Sequence, residues 1–152
     1  MLSTVIAQEI VIDAPPELVW GVVTEPEQIS QWFTDEAELD LRPGGAGAFI
    51  WKEHGTMPLR VETVDKPHRF AFRWCYPEGA EPKTGNSIRV EFTLEPEGES
   101  TRLRVVETEL ADLDWPEQQK VDYTRDHTDG WTRHFADLGD YLTRRYQVSV
   151  HS

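Results

Sequence analysis

Near its C-terminus the 152-residue chain reads DHTDGWTRHFADLGDYLTRR, residues 126–145. His127 and His134 are the side chains in it best suited to move a proton, because an unperturbed imidazole titrates near neutral pH. They lie seven residues apart, so on a helix they share a face but stand about two turns from each other, too far to hold one ion between them. The five histidines, at 54, 68, 127, 134 and 151, contain no His-Glu-x-x-His pattern, and the single cysteine, Cys75, cannot build a thiolate cluster. No metal and no cofactor is therefore expected. A Gly-x-Ser-x-Gly elbow is also missing, as is a cysteine and histidine at a recognisable spacing, so nucleophilic catalysis has little support.

Two further polar residues sit among apolar neighbours. Glu107 shares a strand face with Leu103 and Val105, and Gln8 shares one with Ile6, Ile10 and Ile12. An inward carboxylate needs a partner, a raised pKa or access to water. Glu107 stands near its strand end, where the side chain can instead lean into solvent, and His127 can instead be a capped or surface histidine. The expectation is that Gln8, Glu107 and His127 orient a ligand inside an aromatic cavity. Acid–base catalysis by Glu107 with His127 is the weaker alternative.

These residues need elements to hold them. A first strand over about 3–12 is ended by Pro15 and Pro16, which open a short helix, PPELVWGVV. TEPEQISQWF reads as a second short helix, with Thr24 and Glu27 at capping-box spacing and Ile29, Trp32 and Phe33 on its buried face. RPGG then marks a turn, and AGAFIWKE, containing Trp51, runs on as a strand. This glycine-rich stretch is not a phosphate cradle, because no Gly-Lys-Ser/Thr follows and the next element is a strand. The acidic run DEAELD, 35–40, reads as an exposed strand edge that discourages edge pairing or docks a basic partner.

Four more strands, 58–66, 68–76, 86–96 and 100–110, are separated by turn-forming links, which implies an antiparallel meander. Phe70, Phe72 and Trp74 share one face of their strand while Arg69, Arg73 and Cys75 share the other, and Ile88, Val90 and Phe92 repeat the pattern. One face is apolar and one is wet, so something must cover the first. The cover is a helix that starts around Pro116, with a break near Gly130, and runs to about Tyr146. Its stripe is Trp131, Phe135, Leu138 and Leu142. The rings of Trp32, Trp51, Phe70, Phe72, Trp74, Phe92, Trp131 and Phe135 are thus the expected walls of the cavity.

Composition narrows the partners. The formal charge is −13, with 28 acidic against 15 basic residues, a field that repels phosphate backbones and anionic lipid. Nucleic acid and bare membrane are poor partners on that ground, and no apolar run approaches a membrane span. The N-terminus has no basic start and no long apolar core of a signal peptide, so a cytoplasmic protein is expected. Six tryptophans, six phenylalanines and four tyrosines are more ring surface than a core of this size needs. The length suits a single domain, placed at 1–148 with 149–152 as a tail.

In order along the chain, APPELVW, TEPEQISQWF, DLRPGGAGAF, GTMPLRVETVDKPHRFAFRW, STRLRVVET and GWTRHFADLGDYL resemble the successive signatures of one family. It is the family related to the C-terminal domain of the heat-shock protein 90 ATPase activator, within the START-like, or SRPBCC, superfamily. The likeness spans about residues 4–146. It implies an α+β helix-grip fold: a curved antiparallel sheet of about six to seven strands wrapped around a long C-terminal helix, with two short helices after the first strand. It also implies a cavity between sheet and helix that takes a small apolar or aromatic molecule. A chaperone as protein partner follows by analogy. The relative carries an additional N-terminal domain that contributes to chaperone stimulation, so direct activation is not expected of this chain. An enzyme acting on a hydrophobic substrate is the remaining alternative.

Overall fold

Alternation of apolar and charged residues gives the chain one oily sheet surface, and the rest of the fold closes over it. The computed structural model describes residues 5–151. The elements run β1 (Ile6–Ile12), α1 (Pro16–Thr24), α2 (Pro26–Ile29), β2 (Glu36–Leu39), β3 (Ala46–Trp51), β4 (Gly55–Asp65), β5 (Arg69–Trp74), β6 (Ile88–Glu97), β7 (Ser100–Thr108), α3 (Glu117–Tyr146) and β8 (Val150–His151). A single 3-10 turn, Leu110–Asp112, links β7 to α3. All eight strands form one sheet in the order β2-β3-β4-β5-β6-β7-β1-β8, and every pairing is antiparallel. This is the helix-grip arrangement, with one strand more at the C-terminal end than the sequence implied.

The expected faces hold. Phe70, Phe72 and Trp74 of β5 and Ile88, Val90, Phe92 and Leu94 of β6 are buried against α3 and the two short helices. In α3 the stripe of Trp131, Phe135, Leu138 and Leu142 is buried over that surface. At 30 residues α3 is about 45 Å long, and it passes Gly130 without a break. Pro16 occupies the first position of α1, where its missing N–H costs nothing.

Several expectations are corrected. Thr24 and Glu27 do not form a capping box: Thr24 ends α1 and its hydroxyl donates to the Trp20 carbonyl at 2.6 Å. The second helix starts only at Pro26 and spans four residues, so Thr24 is on the wrong side of its start. The residues assigned to a tail instead return to the sheet, Val150 pairing with Ile12 and His151 with Val11. Gln147, left-handed at φ 57°, turns the chain back, and Val150 then packs within 3.7 Å of where a Cβ on Gly139 would lie. Ser152 and the expected strand start at residues 3 and 4 lie outside the described residues. Cys75 is not a strand residue, because β5 ends at Trp74 and Cys75 turns off at φ 62°.

The outer face of the sheet is less wet than alternation suggests. Arg73 points outward from β5 yet is only 7% exposed, since acidic neighbours enclose it. Its guanidinium donates Nε–H to Glu62 at 2.5 Å and a forked pair of N–H groups to both oxygens of Glu109 at 3.0 Å. Glu62 also accepts from Arg89, which pairs in turn with Glu91. Hydrogen bonding from Arg73 holds the Glu109 carboxyl below the usual carboxylate range. A planar fork suits this two-sided role better than an ammonium does. Arg73→Ala is expected to lower the unfolding free energy by about 2–3 kcal/mol, with Arg73→Lys recovering only part, measured by urea denaturation.

Candidate functional site

Glu107 lies on β7 opposite Ile6 of β1 and Val90 of β6, which directs its side chain to the inner face. It is 1% exposed. Of the two positions the sequence left open, the inward one is occupied, and three hydrogen bonds are the reason. Tyr123 donates its hydroxyl to Oε1 at 2.5 Å, Trp131 donates its indole N–H to Oε2 at 2.6 Å, and His127 Nδ1 lies 2.8 Å from Oε2. Tyr123, His127 and Trp131 are spaced by four residues along α3, so a single face of the helix delivers all of them.

A second layer fixes these donors. The indole N–H of Trp74 donates to the Tyr123 hydroxyl at 3.0 Å, which turns the tyrosine's own proton toward Glu107. Burial, reinforced by the Glu107 charge, pushes the Tyr123 phenol well above its ordinary pKa, so it remains a donor. The Tyr123 ring stacks on the imidazole of His127 with centroids 3.6 Å apart, and Trp74 meets that imidazole edge-on at 5.8 Å. His127 is therefore clamped on two sides and tied at Nδ1. Cys75 lies close by, but burial, with the Glu107 charge, pushes its thiol up to about 12, which makes it unreactive.

Beside this hub is a cavity of about 410 Å³, open to solvent, between residues 126–134 of α3 and the β3–β4 hairpin. Its walls are the rings of Phe33, Trp51, Trp74 and Trp131, with Met57 and Gly130 between them. Phe33 stacks on Trp131 at 5.1 Å and meets Trp51 edge-on at 5.3 Å. The indole of Trp51 donates to the Phe33 carbonyl at 2.8 Å, anchoring the hairpin to the segment after α2. Polar groups at the cavity are few: His54, Thr56, Asp126, His127, Arg133 and His134. Burial holds the imidazole of His134 down to about 4, so it is neutral near physiological pH.

The residues expected to form one site are divided by the fold. Trp51, Trp74, His127 and Trp131 line the cavity, and Glu107 stands behind the last two. Phe70, Phe72 and Phe92 are buried in the core, whereas Phe135 borders the groove that holds Gln8 and Trp32 borders a pocket shared with Phe33 and Trp51. Phe70 stacks on Phe92, Phe72 meets Phe70 and Trp74, and Trp32 spends its N–H on the Val22 carbonyl at 3.0 Å. These rings fill the middle of the space between sheet and helix, so the opening lies toward the hairpin. Gln8 is not with Glu107 and His127. It lines a separate groove beside β8, donating to the Thr132 hydroxyl at 3.0 Å and accepting the Glu9 N–H. Phe33 and Tyr123 were missed as site residues. The spacing of Tyr123 to His127 to Trp131 was a readable signal for the latter. Among the described residues no three or more His, Cys, Asp or Glu side chains converge as metal ligands would.

Two outcomes follow. In Glu107→Gln one amide oxygen cannot serve Tyr123, His127 and Trp131 together, so a donor faces a donor and stability is expected to fall by about 1–3 kcal/mol; Glu107→Ala should cost more, by chemical denaturation. His134, held below its unfolded value of 6.5, takes up a proton more readily when unfolded. Its contribution is present above pH 6.5 and is lost as pH falls toward 4. A melting series should show that loss, on the order of 1–2 kcal/mol after allowing for partial exposure, and His134→Gln should flatten it.

Comparison with known proteins agrees with this architecture. No curated protein sequence matches the chain. Among solved structures, protein MLL2253 from Mesorhizobium loti aligns at a TM-score of 0.76 and 22% identity over 93% of this chain and 98% of its own. CalU16 from Micromonospora echinospora aligns at 0.64 and 28% over 94% and 77%. PFC0360w, an HSP90 activator from Plasmodium falciparum, aligns at 0.69 and 15% over 97% and 99%. Among the described residues no helix is long and apolar enough to cross a membrane. The model of one protein family matches residues 13–143, most of the chain, and by that match the chain belongs to the family described as Activator of Hsp90 ATPase homolog 1-like protein.

Proposed function

We propose that the chain binds a small apolar or aromatic molecule in the cavity beside α3, with His127 as its polar contact. One observation carries this reading: about 410 Å³ walled by four aromatic rings and holding an imidazole anchored on a buried carboxylate. Concave, largely apolar sites with a few placed polar groups are the usual form of small-molecule sites. Gly130 supports it. Glycine inside a helix is destabilising by roughly 0.5–1 kcal/mol relative to alanine, and here a Cβ would meet nothing nearer than an Arg133 nitrogen at 4.0 Å. Space is left open at a position where a side chain would strengthen the helix.

The test is a titration with uncharged aromatic compounds, read by tryptophan emission, since Trp51, Trp74 and Trp131 all border the cavity. Gly130→Leu should fill the space and weaken binding about tenfold or more, which is about 1.4 kcal/mol. Gly130→Ala should raise stability by about 0.5–1 kcal/mol. Unchanged emission across the panel, or equal affinity in Gly130→Leu, would remove this reading.

The family's description favours a second reading, a module that docks on a chaperone of the Hsp90 type. Glu36 and Glu38 on the sheet's outermost strand give that reading an acidic edge. It predicts co-sedimentation with the chaperone, weakened by Glu36→Lys with Glu38→Lys.

A further inference from the structure

We infer that the His127–Glu107 pair accepts a proton from the ligand, and that the ligand class is a neutral one- or two-ring aromatic compound bearing a hydroxyl. This rests on the ligand-binding reading of the same cavity and adds to it a substrate class and a chemical step.

The hydrogen-bond pattern gives the direction. An indole N–H can only donate, so Oε2 of Glu107 accepts from Trp131. The Tyr123 oxygen already accepts from Trp74, so its proton goes to Oε1. In the ionised carboxylate both oxygens act as acceptors, and the imidazole then presents Nδ1–H to Oε2. That leaves the lone pair on Nε2. Among the described residues no hydrogen bond reaches Nε2, and the ring borders the cavity. What enters meets an acceptor and must bring a donor.

The surroundings narrow the donor to a phenol-like hydroxyl. Around His127 lie Glu107 from β7, Cys75 after β5, His54 from the β3–β4 turn, and Tyr123, Asp126, Arg133 and His134 of α3. The lining carries one carboxylate, Asp126, and one guanidinium, Arg133, so it favours neither sign of charge and suits a neutral ligand. An ether or ketone offers Nε2 no proton, so only a donor-bearing ligand uses it. The rings of Phe33, Trp51, Trp74 and Trp131 suit a flat neutral body.

The step is a proton transfer. The ligand's O–H bond breaks, its electron pair stays on oxygen, and the proton joins Nε2. Nδ1–H remains on Glu107, so carboxylate, imidazolium and phenolate alternate in sign. Nothing is oxidised or reduced, and the reverse transfer restores both partners. The held carboxylate supports the imidazolium as it forms.

The test uses 4-nitrophenol, whose phenolate absorbs visible light, and 4-nitroanisole, its methyl ether with no proton to give. Both are titrated into the full chain and into His127→Asn, which removes Nε2. In the unmodified chain 4-nitrophenol should bind more tightly than 4-nitroanisole, and bound 4-nitrophenol should ionise at least about one pH unit lower than free, a tenfold shift. In His127→Asn that shift should vanish, and with it the tighter binding of 4-nitrophenol over 4-nitroanisole. If both compounds bind and the phenol ionises as in free solution, or if only the ether binds, the proton-accepting pair is overturned and the cavity reading stands. A shift that survives in His127→Asn overturns the assignment to this histidine. Failure of both compounds to bind overturns this inference, while the ligand reading falls only when the wider panel of uncharged aromatic compounds also leaves tryptophan emission unchanged. Should His127→Asn not fold, the bound and free ionisation curves of the unmodified chain decide alone.

Discussion

One buried carboxylate sets the seating of the long helix on the sheet. Glu107 comes from β7, while Tyr123, His127 and Trp131 all come from α3, so every one of these bonds spans the two layers. A ring stripe can slide along an apolar surface at little cost, because burial is not directional. A carboxylate needing several partners cannot tolerate such a slide, since each lost donor leaves a buried polar group unpaired. Aromatic packing thus holds the helix down, and Glu107 determines which turn lies where.

That same constraint produces the open site. With Trp131 turned to reach Glu107, its ring stacks on Phe33, and Phe33 in turn supports Trp51 on the hairpin. The wall is a chain of rings leaning outward from the hub. Gly130 falls beside it, where any larger residue would project into the space. Deeper in, Phe70, Phe72 and Phe92 belong to the core cluster, and so does Phe135, which also borders the groove beside β8. Core and cavity wall are adjoining parts of one aromatic cluster, separated by which rings the hairpin leaves uncovered.

Elsewhere the sheet solves a different problem. An arginine in the middle of a strand faces outward and is nonetheless nearly buried, so its charge is met by Glu62 and Glu109 instead of water. This network ties β4, β5, β6 and the end of β7 together on the side that no helix covers. Acidic residues outnumber basic ones in this chain, and here part of the excess is used structurally.

The order of elements, the antiparallel meander and the inner faces of β5 and β6 were legible in the sequence, because period-two and helical alternation are local properties of the chain. So was the stripe of α3 that meets the sheet. Glu107 and His127 could be named as candidates for a similar reason: each is polar among apolar neighbours. Tertiary structure decided whether they met, since β7 and α3 are separate elements whose relative seating no local pattern contains. It also separated Gln8 from them, turned Phe70, Phe72 and Phe92 from expected wall into core, and left Phe135 and Trp32 at other openings. Ring type and spacing say that a residue will be buried. Only the packing of the hairpin against α3 determines which buried rings are left facing an empty space.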